Sequence, residues 1–485
     1  MKAINRNLFT PQKALLAVSV SSALFLTACG SDNPTLSAIE DGLNSGEDVG
    51  ISISTDDDGN IVIGAGNDGA ADDAGAGPAG GVFAMSNILD GNTIVSYARA
   101  DDGTLSLVGE FATGGNGGDF DGPEGLDPLI SAYALINTPD NEFLMAVNAG
   151  SNTISVMAIN DDMSLELVDT IGTAGTGPNS LAYNDGIVYV TNIDADGEFA
   201  GEPDQEGSIY GYTFDNGDLT AIPGSLRVLE NRPAAVRFTP DGEYLAVTSI
   251  NAGSAALASG NDDSIVVFGI DENGVPTEGP TDGDTSTPRG NAEGRNLPSA
   301  IGFEIVDRSN GTFAVVTEAR EFRSEGEPPI FPGLQTGSVS VYQIGEGGSL
   351  TGTQLDLLAG QTPTDGQRTA CWIVFSPDGE FFWVSNALDS SISSYRFTDD
   401  TGNVELLEVL AATGNQPTST DPGTAFGTSD GWIDLDISDD GAYIYQLFGL
   451  TGEVGVYAVD GGSLSLVQTV GGNLPSDNTQ GIVSF

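Results

Sequence analysis

The stretch "FSPDGEFFWVSN" (Phe375–Asn386) decides the fold. An apolar residue leads into a tight turn, a short apolar run follows, and an Asn closes it. Pro presets φ, Asp bonds its own backbone, and Gly tolerates a positive φ, so the chain reverses between two strands. Two near copies occur, "FTPDGEYLAVTS" (Phe238–Ser249) and "NTPDNEFLMAVN" (Asn137–Asn148). The closing Asn is expected to bond backbone at the strand end.

Beyond this motif a five-residue phrase recurs: "TIVSY" from Thr93, "TISVM" from Thr153, "SIYGY" from Ser208, "SIVVF" from Ser264, "SVSVY" from Ser338, "SISSY" from Ser391 and "EVGVY" from Glu453. These seven copies stand at intervals of roughly 55 to 75 residues, the period of propeller blades with insertions. Their β-branched and aromatic residues suit strands. Most are followed by a polar turn and a further strand, such as "DDGTLSLVGEF" or "GGSLSLVQTV". A unit therefore has four strands. Strand A ends at the "PDG" turn, strand B is the apolar run, strand C is the five-residue phrase, and strand D follows. Such units repeated radially make an all-β, seven-bladed β-propeller of four-stranded antiparallel blades. The first unit opens directly on a strand B, "GGVFAMSN" (Gly80–Asn87). The last residues, "QGIVSF" (Gln480–Phe485), are a strand A with no strand B after them. They are expected to complete the first blade and close the ring.

The blade pattern, strand, "PDG", strand ending in Asn, "xxIxxY/F", "GxL", resembles the lactonase-type seven-bladed propellers, among them the 6-phosphogluconolactonases. The resemblance covers nearly all of residues 81–485. "YVTN" itself stands at Tyr189–Asn192, as in the YVTN-repeat propellers of prokaryotic surfaces. What the resemblance implies is a hydrolase of a lactone or small anionic ester. Enzymes of that family often carry His after the Pro that opens a strand A. Here Pro178, Pro233 and Pro298 are followed by Asn179, Ala234 and Ser299, and the chain has no His at all. Any catalysis must use carboxylates, Arg, hydroxyls or water. The same scaffold also serves non-catalytic surface propellers that bind a protein, a glycan or an ion, so fold alone does not choose between them.

Residues 1–28 read as a leader. Lys2, Arg6 and Lys13 precede the apolar run Ala14–Leu26, which is too short to span a bilayer. "LTAC" (Leu26–Cys29) resembles the lipobox of bacterial lipoproteins, whose Cys is acylated and becomes the new N-terminus. Gly30 after Cys29, rather than Asp, implies sorting to the outer membrane by that resemblance. Residues 29–80 are rich in Gly, Ala and Asp and read as an acidic tether. One hairpin is expected within it, Ile51 and Ile53 pairing with Ile61 and Ile63. Past the leader, eleven basic residues, all Arg, face 70 acidic ones. That surface repels nucleic acid and anionic headgroups and suits salty water. The membrane is thus expected to be met only through the lipid on Cys29. Cys371 heads the apolar "CWIVF" and reads as a small buried hydrophobe, since no His is present to activate it.

Long connections cluster on one face of the expected propeller, where B–C and D–A loops meet. They are residues 193–207, 251–263, 279–298 and 319–337. Arg289, Arg295, Arg320, Arg323 and Arg368 lie in or beside them, and Arg232 opens a strand A on the same face. In so acidic a chain this clustering points to an anion site, with pairing to Glu321, Glu325 and Glu327 as the alternative. Glu318 replaces the Asn that ends strand B elsewhere. A catalytic set of Glu318, Arg320 and Arg368 would let the carboxylate activate water while Arg steadies the oxyanion. Arg232, Arg237, Arg295, Arg323 and Asp436 are the ligand-binding candidates. Arg237 and Asp436 take equivalent strand A positions near the central channel. No cofactor is required. Ca²⁺ has one candidate, Asp194 and Asp196 in "NIDADGE", although Pro203 stands where an acidic loop would place its last Glu.

Overall fold

The computed structural model describes residues 50–55, 61–66, 77–120, 127–195, 206–229, 231–250, 264–277, 299–319, 336–360, 366–415 and 429–485. The chain divides into two compact units between Ala76 and Gly77. In the first, Gly50–Thr55 pairs antiparallel with Ile61–Gly66. Ile53 lies opposite Ile63, while Ile51 faces Ala65 and Ile61 faces Thr55.

The second unit is the seven-bladed propeller. Blade one joins Ile482–Ser484 to Gly80–Met85, Thr93–Arg99 and Leu105–Ala112. Blade two is Leu135–Asn137, Phe143–Asn148, Thr153–Ile159 and Leu165–Gly172. Blade three is Thr176–Asn184, Ile187–Asp194 and Ser208–Asp215, with its strand D split into Asp218–Ala221 and Arg227–Val228. Blade four shows Arg232–Phe238, Tyr244–Ile250 and Ser264–Gly269. Its strand D is reduced, among the described residues, to a bridge between Ile270 and Pro276. Blade five is Ser299–Arg308, Gly311–Ala319, Ser338–Ile344 and Leu350–Leu358. Blade six is Ala370–Phe375, Phe381–Asn386, Ser391–Phe397 and Val404–Thr413. Blade seven is Trp432–Ile437, Tyr443–Phe448, Glu453–Asp460 and Ser463–Gly471. Every strand C begins at the first residue of its five-residue phrase. Among the described residues, no helix is long and apolar enough to cross a membrane.

Local chemistry explains the repeat. In four A–B turns a Ser or Thr hydroxyl donates to the Asp two residues on, at 2.6 Å: Thr138 to Asp140, Thr239 to Asp241, Ser376 to Asp378 and Ser438 to Asp440. The same carboxylates accept the backbone amides of Glu142, Glu243, Glu380 and Ala442. The hydroxyl bond holds Asp140 and Asp378 below the usual carboxylate range. Strand D then carries a β-bulge opposite the strand C aromatic in blades one, five, six and seven, across from Tyr97, Tyr342, Tyr395 and Tyr457. A bulge bends the strand that carries it, here the outer one, and all four rings are buried.

The Asn that closes strand B meets expectation in blade one but differs from it in blades two and six. Asn148 Nδ2 donates to Thr153 Oγ1 and Ser155 Oγ, and Asn386 Nδ2 to Ser391 Oγ and Ser393 Oγ. In these two blades it bonds buried hydroxyls on the facing strand C, which need a partner, whereas Asn87 of blade one does bond backbone, donating to the Gly118 and Asn478 carbonyls and accepting Gly118 N. Cys371 is a buried thiol outside any disulfide.

Closure works as expected. Val82, Phe83 and Ala84 lie opposite Ser484, Val483 and Ile482. Buried Arg99 fastens the seam. Its Nε donates to the Phe485 carbonyl (3.1 Å), Nη2 to the Ala79 carbonyl (3.2 Å), and Nη1 to Asp440 of blade seven (3.2 Å). Arg99→Ala is expected to cost roughly 2 kcal/mol, read as a lower urea midpoint for the whole propeller. The net charge of −56 adds a second expectation: the same midpoint rises between low and molar salt as self-repulsion is screened. A salt-independent midpoint contradicts it.

Candidate functional site at the central channel

The middle of the ring is filled by the chain itself. The D–A connection from blade one to blade two passes through it as residues 127–134, "DPLISAYA". Ala132 N donates to the Ala234 carbonyl of blade four (3.1 Å), and Leu181 N of blade three to the Tyr133 carbonyl (2.9 Å). Trp372 Nε1 of blade six and Gln480 Nε2 beside the closing strand both donate to the Ser131 carbonyl, at 2.9 and 2.7 Å. Tyr133 OH donates to the Phe303 carbonyl of blade five (2.8 Å). Leu129, Ser131, Ala132 and Ala134 are fully buried. Ile130 and Tyr133 adopt φ of 51° and 66°. That conformation is costly for a β-branched or bulky residue and persists only when its surroundings over-determine it.

This plug enters from the face of the D–A and B–C loops. Toward the A–B turns, strands A present a polar cluster instead. Arg237, Glu304 and Asp436 stand at matching levels of blades four, five and seven, opposite Ala246, Val315 and Tyr445 of their strands B. The Arg237 guanidinium pairs with Glu304. Its Cζ lies 3.3 Å from the centroid of the Tyr133 ring carried in by the plug. Arg237, Glu304 and Asp436 are half-buried and Asp434 is buried.

Asp434 and Asp436 alternate along one strand and so face the same side. Asp434 Oδ2 accepts Gly481 N (3.0 Å), and its carboxylate also takes the Tyr133 backbone amide. Asp436 Oδ2 accepts Ser484 N (2.6 Å) and Ser484 Oγ (3.2 Å). Burial pushes both carboxyls up to about 7, more than these hydrogen bonds pull them back. The Asp436 charge raises Asp434 further, while Arg237 draws Asp436 down. A pocket of about 290 Å³ opens at the A–B turns of blades five and six, and Glu304 forms part of its wall.

The residues singled out from sequence fall into three groups. Arg237 and Asp436 join the channel cluster. Glu318 is buried at the end of strand B in blade five, where its two oxygens accept Ser338 Oγ (2.7 Å) and Ser340 Oγ (2.8 Å). It accepts from the strand C hydroxyls that an Asn donates to in other blades. Arg368, beside strand A of blade six, is locked to Asp389, with Nε 2.9 and 3.0 Å from the two carboxylate oxygens. Gly337 packs against both strands: a Cβ there would lie 2.7 Å from Ala370 Cβ and 3.3 Å from the Glu318 carbonyl. Arg232 is buried, with Cζ 5.9 Å from the Phe120 ring centroid. Asp194 is buried at the end of strand B in blade three. Cys29, Asp196, Arg289, Arg295, Arg320 and Arg323 lie outside the described residues. Among the described residues no three His, Cys, Asp or Glu side chains gather to hold a metal ion.

Sequence reasoning missed Tyr133, Glu304 and Asp434. Asp434 was recoverable from its alternation with Asp436 in "WIDLDI". Nothing local marks residues 127–134 as a plug.

Residues 333–421, which span the outer strands of blade five and all of blade six, match the family model "Lactonase, 7-bladed beta-propeller". No curated protein matches the sequence. A periplasmic gluconolactonase of Pseudomonas aeruginosa superposes with a TM-score of 0.55 at 16% identity, over 84% of this chain and 98% of its own. A provisionally named 6-phosphogluconolactonase of Bacteroides fragilis gives 0.53 at 18%, over 84% and 97%. A hypothetical selenium-binding protein of Sulfolobus tokodaii gives 0.55 at 11%, over 84% and 94%. The likeness to lactonase-type seven-bladed propellers thus holds in the local family match and in the fold.

The buried acid makes stability depend on pH. The folded pKa of Asp434 lies above its unfolded value, so the folded state keeps a proton that the unfolded chain has released. Stability from this group is therefore present below about 4 and is lost as pH rises toward about 7. Each tenfold difference in proton affinity between the folded and unfolded chain corresponds to about 1.4 kcal/mol. Asp434→Asn, which keeps an acceptor oxygen, should flatten the fall in urea midpoint between pH 4 and 8 relative to the wild type. Parallel wild-type and variant curves would contradict this.

Proposed function

We propose that this chain is a lactone hydrolase acting at the A–B-turn end of its central channel. The observation that carries the reading is Asp436, a half-buried carboxylate poised near pH 7 beside the Arg237 guanidinium. Groups poised in this way cluster at functional sites. The chemistry follows from the residue types. Ionised Asp436 takes a proton from a water as its oxygen attacks the lactone carbonyl. Arg237 steadies the negative charge that gathers on the carbonyl oxygen. The ring C–O bond then breaks, and the departing alkoxide takes the proton back from Asp436, leaving a hydroxy acid. Ser484 aims the carboxyl, and Glu304 with the Tyr133 ring holds the guanidinium. The family resemblance supports this class of reaction. The leader and Cys29 support an extracytoplasmic substrate, met by a lipoprotein held at the outer membrane.

A second reading is favoured by one observation. On the long-loop face, Glu318 and Arg368 are already held by Ser338, Ser340 and Asp389 of the same chain. That arrangement suits a non-catalytic surface propeller, which would bind a protein, glycan, ion or small anion through the long connections.

Acid release from a panel of sugar, aliphatic and aromatic lactones, measured in high salt with and without Ca²⁺, separates the two. The hydrolase reading expects kcat to rise with pH to a plateau above about 7. Asp436→Asn should lower kcat about 10²- to 10⁴-fold with little change in KM, while Glu318→Gln remains active. If Glu318→Gln abolishes turnover instead, the chemistry belongs to the long-loop face. Absence of turnover on every lactone supports the binding reading.

A further inference from the structure

We infer that the channel site takes an uncharged substrate from the A–B-turn face and rejects anionic ones. The inference rests on the hydrolase site proposed above and adds the substrate's charge class and direction of approach.

Approach is limited by the plug. Residues 127–134 close the channel from the D–A side, through bonds to strands A of several blades and to Gln480, two residues before the closing strand. Arg237 and Glu304 nonetheless keep about a quarter of their side-chain surface open (25% and 26%). That opening faces the A–B turns, where the 290 Å³ pocket shares Glu304 with the cluster. Such a volume holds a small ring, near the lower end of ligand pockets.

The charge of this mouth is negative. Its wall brings together Glu304, Asp307 and Asp378 with the apolar Val306, Phe375 and Pro377. Asp307 accepts Thr312 Oγ1 (2.6 Å). Asp378 is held ionised by the Ser376 hydroxyl and the Glu380 amide. Arg308 lies beside the pocket but is engaged three ways. It donates to the Gly379 carbonyl (3.0 Å), pairs with Asp400 (3.5 Å), and lies over the Phe397 ring (4.8 Å). Arg237 is offset by Glu304, and Asp434 and Asp436 add further negative charge once ionised. A phosphate or carboxylate on the substrate would meet three carboxylates, and the two guanidiniums beside them are each already paired with a carboxylate. The surrounding chain, at −56, lowers the local concentration of anions further. Discrimination here comes from repulsion built against the wrong ligand.

A matched pair tests the inference: D-glucono-1,5-lactone and its 6-phosphate, which differ by the charged phosphoryl group. At low ionic strength kcat/KM for the neutral lactone should exceed that for the phosphate about 100-fold, and the gap should narrow as salt is added. Asp307→Asn, which keeps the acceptor for Thr312, should narrow the gap at fixed salt. A phosphorylated lactone turned over as well as the neutral one at low salt overturns the inference. Calorimetry with gluconolactam and its 6-phosphate, which do not open, keeps the two proposals apart. No turnover with tighter binding of the neutral lactam sinks the hydrolase reading and leaves the charge selection standing. Equal or tighter binding of the phosphorylated lactam, or no binding of either, overturns the charge selection whatever the turnover.

Discussion

The short ladder between Ile482–Ser484 and Val82–Ala84 is the constraint on which the rest depends. It closes the ring, and the residues beside it reach into the centre. Gly481 N and Ser484 N are donors to Asp434 and Asp436. Gln480 accepts Leu129 N through its side-chain oxygen and donates to the Ser131 carbonyl and to Asp127, so it also fixes the plug. Buried carboxylates without donors would be strongly unfavourable. Closure supplies those donors, which makes the seam and the acidic site one hydrogen-bonded system. A propeller that opened at this seam would lose the site as well as the ring.

The plug gives the channel a direction. Seven strands A leave a space in the middle, and a packed interior does not tolerate it empty. Here a D–A connection fills one end with Leu129, Ala132 and Ala134, while the other end keeps polar side chains. Tyr133 marks the boundary. Its backbone amide and carbonyl are bonded within the plug's surroundings, and its ring supports Arg237. The positive φ of Ile130 and Tyr133 is the cost of turning the chain inside so narrow a space. That cost is offset by the bonds the segment makes to strands A around it.

What was legible in the sequence is what local chemistry decides. The "PDG" turn, the apolar strand B and the β-branched strand C each announce themselves within a dozen residues, so blade number and strand starts followed. The closing strand was legible because "QGIVSF" carries a strand pattern with no partner of its own. Arg237 and Asp436 were found near the channel because they sit at fixed offsets from the A–B turn. Their actual partners were not: Glu304 and Ser484 come from other blades, and pairing between blades depends on the height of each strand in the ring. The strand C partners of Asn386 were illegible for a similar reason. They are hydroxyls five and seven residues on, at a register that only the folded sheet brings together. The plug was illegible because "DPLISAYA" has the composition of an ordinary loop.

A chain without His has few ways to titrate near neutrality. Its carboxylates normally do so near 4, and Arg does not do so at all. Cys371 is packed in the apolar core. What remains is to shift a carboxyl upward by burial and by a like charge. Strand A of blade seven does both: it is the innermost strand of a closed ring, and it carries Asp434 and Asp436 on one side. The propeller thus turns the commonest side-chain chemistry of this acidic sequence into a group that exchanges protons near pH 7. Arg237 is the cation drawn into that setting, and Glu304 with Tyr133 fixes where its charge points. Two aspartates placed where seven sheets converge are enough to create that setting in a chain with no imidazole.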